Sequence, residues 1–138
     1  MVVTESLEFS TMGKTDIVNI TEEVQSKVSN SKVNCGTVTL FITGSTAGLT
    51  TVEYEPGLLA DFKAFWQRIA PDNIPYEHNE RWRDGNGYAH VRASFLGPSL
   101  AVPFNNKQLV LGTWQQIVVV DFDNRARKRQ IILQIIGE

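Results

Sequence analysis

Cysteine, long apolar runs and net charge are all scarce in this sequence, and each shortage excludes a class of protein. Cys35 is the only cysteine among 138 residues, which excludes an intrachain disulfide and any zinc site that needs two or more cysteines from one chain. No apolar run approaches the roughly 18 residues that a membrane helix needs. The formal net charge of -2 gives no general attraction to nucleic acid or to anionic lipid.

What remains is the composition of an ordinary globular chain, with 42% hydrophobic and 20% charged residues. The length fits a single domain over residues 1–138. Charged Glu5 and Glu8 follow the first residues closely, where a signal peptide would have its apolar core. We therefore expect a cytoplasmic protein with no membrane partner, and we expect Cys35 to be a buried thiol on a strand.

Hydrophobic periodicity predicts an α+β fold, a β-rich sandwich of mixed or antiparallel sheets with two helices. One helix follows from the four-residue spacing of Ile20, Val24 and Val28, and the second starts at Pro56 and ends before Pro71. Strands are predicted at residues 2–9, 37–43, 49–53, 89–96, 100–104, 108–111, 115–122 and 130–136. Residues 72–87 lack periodicity, which predicts a functional or mobile loop.

Two hairpins are predicted towards the end of the chain. Asn105 and Asn106 are typical of a short hairpin turn. Segments 115–122 and 130–136 are predicted to pair around the basic run at residues 125–129, which we interpret as a solvated turn rather than a phosphate-binding patch. The continuous apolar runs at 118–120 and 131–133 indicate burial on both faces, either inside the domain or against another subunit.

The stretch with the strongest signs of a site surrounds the only two histidines and contains Tyr76, His78, Asp84, Asn86 and His90. The histidines are 12 residues apart, across the irregular segment, so their imidazoles can converge. Neutral imidazoles bind Zn²⁺ and similar metals well, with Asp84 as a further ligand or as the partner of one ring. Alternatively, one histidine acts as a general acid or base, or both are ordinary, partly buried side chains.

Two other segments are suited to anions. If residues 89–95 form a strand, His90, Arg92 and Ser94 share one face, which either holds an anion such as phosphate or is simply exposed. Thr46 lies in the Gly-Ser-Thr-Ala-Gly stretch at residues 44–48. Its amides and hydroxyls either face an anion or form a bulge or close-packed bend.

A third group of candidate site residues consists of two glutamates, a tryptophan and a glutamine. Glu53 and Glu55 share a face in extended chain, so one either points into the same cleft or only stabilises the start of the next helix. Trp114 can stack on a flat ligand while Gln115 binds the ligand's edge, or Trp114 closes the end of the sandwich. No basic surface interleaved with aromatic residues is present, which argues against nucleic acid as a partner.

Five segments in order resemble one known family. They are Ser-Thr-Ala-Gly-Leu-Thr at 45–50, Tyr-Glu-His at 76–78, Ala-His-Val-Arg-Ala-Ser-Phe-Leu-Gly-Pro-Ser at 89–99, Leu-Gly-Thr-Trp-Gln-Gln at 111–116 and Gln-Ile-Ile-Gly-Glu at 134–138. With them the chain resembles the YjbQ family, also described as secondary thiamine-phosphate synthases, over residues 37–138.

The resemblance implies an α+β fold, a homotrimer, and a site near subunit boundaries built from the histidines. The implied activity is weak joining of an aminopyrimidine pyrophosphate to a thiazole phosphate, with release of pyrophosphate. A divalent metal such as Mg²⁺ or Zn²⁺, or basic groups, would carry the charge of the leaving group. By role, the residues would be His90, His78, Asp84 and Glu53 for catalysis, Arg92, Ser94 and Thr46 for phosphate, Trp114 and Gln115 for the pyrimidine, and His78 and His90 for a metal.

The sequence departs from the family at one position. Many relatives carry a histidine directly before the Thr/Ser turn, where this chain has Gly44. A three-histidine metal site is therefore incomplete, although Glu53 matches the family's glutamate after the turn and is a hypothetical substitute. Two alternatives to the synthase follow: a metal- or small-ligand-binding trimer without turnover, and a purely structural trimer.

Overall fold

The computed structural model describes residues 1–138 as eight strands and four helices. In chain order these are β1 (Val2–Thr11), β2 (Asp16–Asn19), α1 (Thr21–Asn30), β3 (Gly36–Ile42), β4 (Ala47–Glu53), α2 (Pro56–Ile69), α3 (Glu77–Trp82), α4 (Gly87–Leu96), β5 (Ser99–Asn105), β6 (Gln108–Leu109), β7 (Gln115–Asp121) and β8 (Arg127–Gly137). The predicted β-rich α+β class is confirmed, with four helices in place of two. None of these helices combines the length and the apolar character that crossing a membrane requires.

The strands form two antiparallel sheets, a large one in the order β1-β8-β3-β5-β6 and a small one in the order β2-β7-β4. The predicted short hairpin is confirmed, because β5 pairs with β6 through Asn106 and Lys107, whose φ angles of 49° and 61° are left-handed, as favoured hairpin turns require. The predicted pairing of β7 with β8 is wrong, because the five residues between them cross from the small sheet to the large one.

The two sheets and the helices make three layers with two hydrophobic cores. The first core lies between the sheets and includes the predicted stripe of α1, with Ile20, Val24 and Val28 all buried. The second core lies between the small sheet and helices α2 and α4, and it contains Trp66. Trp66 packs edge-on against Phe122 with ring centroids 5.0 Å apart, so the aromatic residue of α2 anchors that helix to the small sheet.

Strand β7 belongs to both cores, because successive side chains on a strand point to opposite faces. Ile117 and Val119 enter the core between the sheets, while Val118 and Val120 enter the core beneath the helices. The predicted burial of residues 118–120 on both faces is therefore confirmed within the domain. In β8 the inward residues are fully buried, but Ile132 on the other face is only half-buried. Residues 131–133 are therefore not covered on both faces within the domain, and their burial against another subunit stays a prediction.

Residues 89–96 form helix α4 rather than the predicted strand. Their alternation of large and small residues fits a strand, but Ala89 and Ala93, four residues apart, also make a small buried helix face. Strand β4 approaches this helix closely, since a Cβ on Gly48 would lie 2.9 Å from Leu96 Cδ2 and 2.9 Å from the Gly97 carbonyl oxygen. Tertiary packing overrides the local pattern, and the glycine-containing stretch at 44–48 is the close-packed bend.

Two smaller predictions are also wrong. The segment predicted as a loop at residues 72–87 contains the short helix α3, which the lack of a long periodic pattern concealed. Cys35 lies just before β3 and is half-buried rather than buried on a strand. Its thiol donates a hydrogen bond to Asn105 Oδ1 at 3.0 Å, so it belongs to the surface at one end of the large sheet.

A buried ion pair connects the two sheets. Arg129 of β8 donates to the carboxylate of Asp121 on β7 from Nε at 2.7 Å and from Nη2 at 2.8 Å, a two-pronged geometry that strengthens the contact. Thr11 of β1 donates to the same carboxylate at 2.5 Å. Asp121 is fully buried and Arg129 is 4% exposed. The basic run at 125–129 is therefore not a wholly solvated turn: Arg125 and Lys128 are exposed, but Arg129 is inside.

We predict that Arg129→Met lowers the free energy of unfolding by about 3–5 kcal/mol, because it leaves a buried carboxylate without its cation. Urea unfolding followed by circular dichroism measures this change. The matched control is Arg125→Met, on an exposed position of the same run, which should change stability by less than about 0.5 kcal/mol. Adding Asp121→Leu to Arg129→Met should recover part of the loss. Equal effects of the two arginine substitutions would contradict the structural role of the pair.

Candidate functional site

Helices α3 and α4 bring the two histidines into contact. The ring centroids of His78 and His90 lie 4.2 Å apart, with ring planes inclined by 37°. The helices meet at Gly87, where a Cβ would come within 2.7 Å of the Tyr76 Cβ, so the close approach depends on glycine. Asn79 Oδ1 accepts a hydrogen bond from the Gly87 amide at 2.8 Å and fixes the crossing. The predicted convergence of the imidazoles is thus present in the fold.

Asp84 lies beside this pair, as the sequence predicts. Its Oδ1 is 3.5 Å from Nδ1 of His78, which is longer than an ordinary hydrogen bond. Nδ1 of His78 is buried and makes no hydrogen bond to any other group of the protein. The carboxylate of Asp84 is about half exposed, at 47%. A small rotation of the half-exposed Asp84 side chain would complete the hydrogen bond and fix the orientation of the His78 ring.

His90 is held in its neutral form. Burial is the largest cause and lowers the pKa of His90, and the neighbouring His78 lowers it further. Asp84 and Asp123 raise the pKa by less, so the net shift is downward. A neutral imidazole carries one N–H donor and one nitrogen acceptor. His90 can therefore accept a proton or donate a hydrogen bond near neutral pH.

The predicted polar face shared by His90, Arg92 and Ser94 is wrong, because these residues lie on helix α4 and not on a strand. Successive side chains are about 100° apart around a helix and 180° apart along a strand, so residues two positions apart do not share a helix face. Ser94, four residues after His90, stays on the same side and donates to the His90 carbonyl oxygen at 2.7 Å. Arg92 points the opposite way and is only 2% exposed. It donates from Nε to the Ala70 carbonyl at 2.9 Å and from Nη1 to Thr15 Oγ1 at 2.9 Å, so it supports the packing of α4 instead of facing the histidines.

Thr46 is also turned inward. Its hydroxyl donates to Asp123 Oδ2 at 2.9 Å and accepts from Arg129 Nη2 at 2.6 Å, and the residue is 4% exposed. Both its donor and an acceptor lone pair are therefore in use within the protein. The stretch that contains Thr46 serves the network between the sheets, and its hydroxyl does not face a ligand.

Glu53, Trp114 and Gln115 lie at the other end of the small sheet. Strand β4 runs from the bend near Thr46 to Glu53, a span of about 20 Å at the usual rise of a strand. Glu53 and Trp114 line one cavity there, and Trp114 is 72% exposed. Gln115 accepts from the Gly112 amide at 3.0 Å and donates to Thr51 Oγ1 at 3.0 Å. Within one chain these residues do not meet the histidines.

The donor set does not fit a three-ligand metal site. No group of three His, Cys, Asp or Glu side chains converges anywhere in the structure. The histidine pair supplies two nitrogen donors, and Asp84 is turned partly to solvent. Gly44 lies beside Arg129, since a Cβ on Gly44 would be 2.9 Å from Arg129 Nη1. The chain thus offers fewer ligands than the three that catalytic zinc sites use.

Asp123 supports the start of the helix that carries His90, a role that the sequence did not reveal. Burial raises the pKa of Asp123, but hydrogen bonds from Thr46, the Asn124 amide and Asn86, together with the charge of Arg127, lower it by more, so the net shift is downward. Asn86 Nδ2 donates to Asp123 Oδ1 at 3.3 Å just before α4 begins. The carboxylate therefore connects the helix that carries His90 to the basic run. The signal in the sequence was the alternation of acidic and basic residues at 121–129.

Comparisons with known proteins agree with this fold. A family model described as UPF0047 protein YjbQ-like matches residues 5–138. A UPF0047 protein of Archaeoglobus fulgidus is 33% identical over 126 residues, which cover 91% of this chain and 96% of that protein. The chain belongs to the YjbQ-like UPF0047 family. The predicted family membership is confirmed.

Solved structures support the same assignment. A YbjQ-like protein of unknown function from Sulfolobus solfataricus P2 superimposes with a TM-score of 0.94 at 32% identity, over 100% of this chain and 99% of that one. A hypothetical protein from Aeropyrum pernix K1 gives a TM-score of 0.90 at 29% identity, over 99% of each chain. The fold is therefore that of the family along its whole length.

We predict that the imidazole of His90 titrates with a pKa below 6.5 and that His78→Gln moves it upwards, because one of its two depressing influences is removed. The value should stay below 6.5, since burial, the larger cause, remains. NMR titration of the imidazole protons measures both values, and the variant leaves a single histidine signal because the chain has only two histidines. The neutral form is favoured in the folded state, so this contribution to stability is complete above pH 6.5 and is lost as pH falls through the folded pKa. A His90 pKa above 6.5 in the unaltered protein would refute this description.

Proposed function

We propose that this protein is a secondary thiamine-phosphate synthase, with weak or promiscuous activity, that joins an aminopyrimidine pyrophosphate to a thiazole phosphate. The observation that carries the proposal is the contact between His78 and neutral His90, in a chain whose family resemblance implies this reaction. The thiazole nitrogen attacks the methylene carbon of the pyrimidine, a C–N bond forms, and the C–O bond to pyrophosphate breaks. The bond electrons leave with pyrophosphate and the thiazole ring becomes positively charged.

The histidine pair is suited to the leaving group. Negative charge grows on the bridging oxygen as the C–O bond breaks, and an imidazole N–H aimed at that oxygen stabilises it. His90 and Ser94 border one open cavity with Val91 and Phe95, of about 430 Å³, which is wide enough for a heterocycle. The Ser94 hydroxyl is the one phosphate-binding candidate of α4 on that side, and it would exchange its hydrogen bond to the His90 carbonyl oxygen for one to the phosphate.

We further propose that the protein assembles as a homotrimer in which the Trp114 corner of one subunit approaches the histidine pair of the next. Large apolar side chains are exposed at both places, with Phe95 76% and Trp114 72% accessible, and exposed aromatic residues favour association. Trp114 would stack on the pyrimidine, with Gln115 on its edge and Glu53 as a carboxylate next to it. The phosphorylated substrates do not cross membranes unaided, so the proposed activity fits a cytoplasmic protein.

One observation favours a second function, a small-ligand- or metal-binding trimer without turnover. Arg92 and Thr46, two of the three phosphate-binding candidates, are buried away from the histidines, and no third metal ligand joins the pair. Such a protein would bind the thiazole phosphate or a divalent metal and release it unchanged.

We predict that the purified protein forms thiamine phosphate from the two substrates in the presence of Mg²⁺, and that His90→Ala lowers the rate by about 100-fold or more, the usual contribution of one hydrogen-bond donor aimed at developing negative charge. Liquid chromatography of the product measures the rate. Glu80→Ala, on an exposed position of α3, is the control and should be unaffected. Equal product from the protein and His90→Ala would overturn the proposed role. Calorimetric binding of thiazole phosphate with no product would support the second function.

We predict a single species of three times the 15.5 kDa chain mass in sedimentation equilibrium. Phe95→Asp together with Trp114→Asp should convert it to monomers, because two charges would be buried in the proposed contact. Val2→Asp, at an exposed position at the start of β1, should leave the mass unchanged. A monomer at all concentrations of the unaltered protein would exclude the shared site.

A further inference from the structure

A second polar cavity lies on the side of α4 that faces away from His90, between the end of α2 and the turn before β2. Its volume is about 390 Å³, and it shares no residue with the cavity that His90 borders. Its charged groups and most of its hydroxyls come from Lys14, Thr15, Asp72, Tyr88 and Arg92. We call it the Arg92 cavity.

Arg92 is a buried cation without a carboxylate partner. It is 2% exposed, and its Nε and Nη1 donate to the Ala70 carbonyl and the Thr15 hydroxyl, which are both neutral. Nη2 is buried and has no hydrogen-bond partner, and Arg92 takes part in none of the ion pairs of the chain. A buried charge is costly unless an opposite charge compensates it. The fold thus provides a guanidinium whose counterion is missing.

The guanidinium is the part of Arg92 that borders the cavity. Thr15, which accepts the hydrogen bond from Nη1, also lines the cavity, as does Tyr88, whose ring centroid lies 4.8 Å from Cζ of Arg92. The positive charge is delocalised over the planar guanidinium. An anion placed beside Nη1 therefore compensates the charge of the whole group.

Other donors line the same cavity. The Thr15 hydroxyl accepts from Arg92, and its own hydrogen has no acceptor within the protein. The Tyr88 hydroxyl and the exposed Lys14 ammonium also form no hydrogen bond within the protein. Four polar groups of one cavity wall are thus able to donate to a ligand.

The turn before β2 is strained where it meets Arg92. Lys14 and Thr15 have left-handed φ angles of 56° and 63°, which are unfavourable for a β-branched threonine. The Lys14 amide donates to the Asp123 carbonyl at 2.6 Å and holds the turn in place. Thr15 is consequently turned inward and is 4% exposed. Backbone strain of this kind is concentrated at binding sites, where it positions functional groups.

The charges of the cavity indicate which anion fits. Two cations, Lys14 and Arg92, face one carboxylate, Asp72, so the wall carries one net positive charge. Asp72 is engaged by Gln67, whose Nε2 donates to Oδ2 at 3.0 Å. A monoanion would neutralise the wall, whereas the second charge of a phosphate dianion would face Asp72 without a cation. The two oxygens of a carboxylate also match the planar donors of a guanidinium.

We propose that the Arg92 cavity binds a small organic monocarboxylate, which Arg92, Thr15 and Lys14 hold through its carboxylate. This function is additional to the proposed synthase reaction and uses neither histidine. The volume leaves room for the rest of the ligand beside the Tyr88 ring.

The experiment is an NMR titration of the full chain with acetate, near neutral pH, that follows the backbone amides and the Arg92 Nε–H signal. Acetate should give saturable shifts at Thr15, Tyr88 and Arg92. Acetamide, which has the same shape without the charge, should not saturate, and inorganic phosphate should bind more weakly than acetate. Equal binding of acetamide, tighter binding of phosphate, or shifts confined to other parts of the chain would each refute the proposal. No turnover is measured, so failure here is distinct from failure of the synthase assay.

Two variants test the named cations. Arg92→Met should weaken acetate binding at least tenfold, as expected for the loss of a charge-assisted hydrogen bond, and the dispersion of its spectrum shows whether it folds. Lys14→Gln keeps the buried groups and should weaken binding about two- to fivefold, the range of an exposed charge contact. Lys63→Gln, at an exposed position on α2, is the control and should bind as the unaltered protein does. Unchanged affinity in Lys14→Gln would count against the assigned contacts even if Arg92→Met did not fold.

Asp72→Asn tests the one internal competitor for Arg92. Because the substitution removes a like charge from the cavity, it should strengthen acetate binding, while the unaltered protein should already bind. If acetate bound only to Asp72→Asn, Asp72 would be the counterion of Arg92 in solution, and the cavity would not be a carboxylate site.

Discussion

The contact between Arg129 and Asp121 constrains the rest of the structure. Removing an ion from water costs several kcal/mol, so a buried pair needs further hydrogen bonds to offset that cost. Thr11, Thr46 and the Asp123 amide supply such hydrogen bonds around Asp121 and Arg129. These groups come from β1, from the bend before β4, and from β7 and β8, and therefore from both sheets. Apolar packing alone is non-directional, whereas this network sets how one sheet lies on the other.

Asp123 connects the same hydrogen-bond network to helix α4. On one side it binds Asn86 at the start of α4, one helical turn before His90, and on the other it binds Arg127 at the start of β8. The position of His90 and the start of β8 therefore depend on the same carboxylate. A substitution of Asp123 will alter both places together, which separates it from substitutions on the exposed side of α4.

The sequence predicted correctly those elements that are determined by residues close together along the chain. The stripe of α1, the proline start of α2 and the Asn105 turn each follow from neighbouring residues, and the structure has all three. The helix at residues 89–96 did not follow from its own sequence, because buried Ala89 and Ala93 fit both the helical and the strand period. Which of the two forms depends on the close approach of Gly48 from another strand. The sheet membership of β8 was hidden as well. Five residues between two apolar strands resemble a hairpin connection. The strand pairing shows instead that the chain crosses from one sheet to the other there, and the ion pair of Arg129 with Asp121 joins the two layers.

The candidate site, like the fold, was predictable only where its residues are close together along the chain. Convergence of His78 and His90 was predictable, because a short connection joins the segments that carry them. The order of motifs along a sequence carries no information on distance, however, and Glu53, Trp114 and Gln115 lie about 20 Å further along the small sheet. In a cyclic trimer each interface joins two different surfaces of the same chain, so one contact between the Trp114 corner and the histidine end would be repeated three times. Residues that are far apart in one subunit would then form three equivalent sites, and the exposed Trp114 and Phe95 would be buried between subunits rather than facing water.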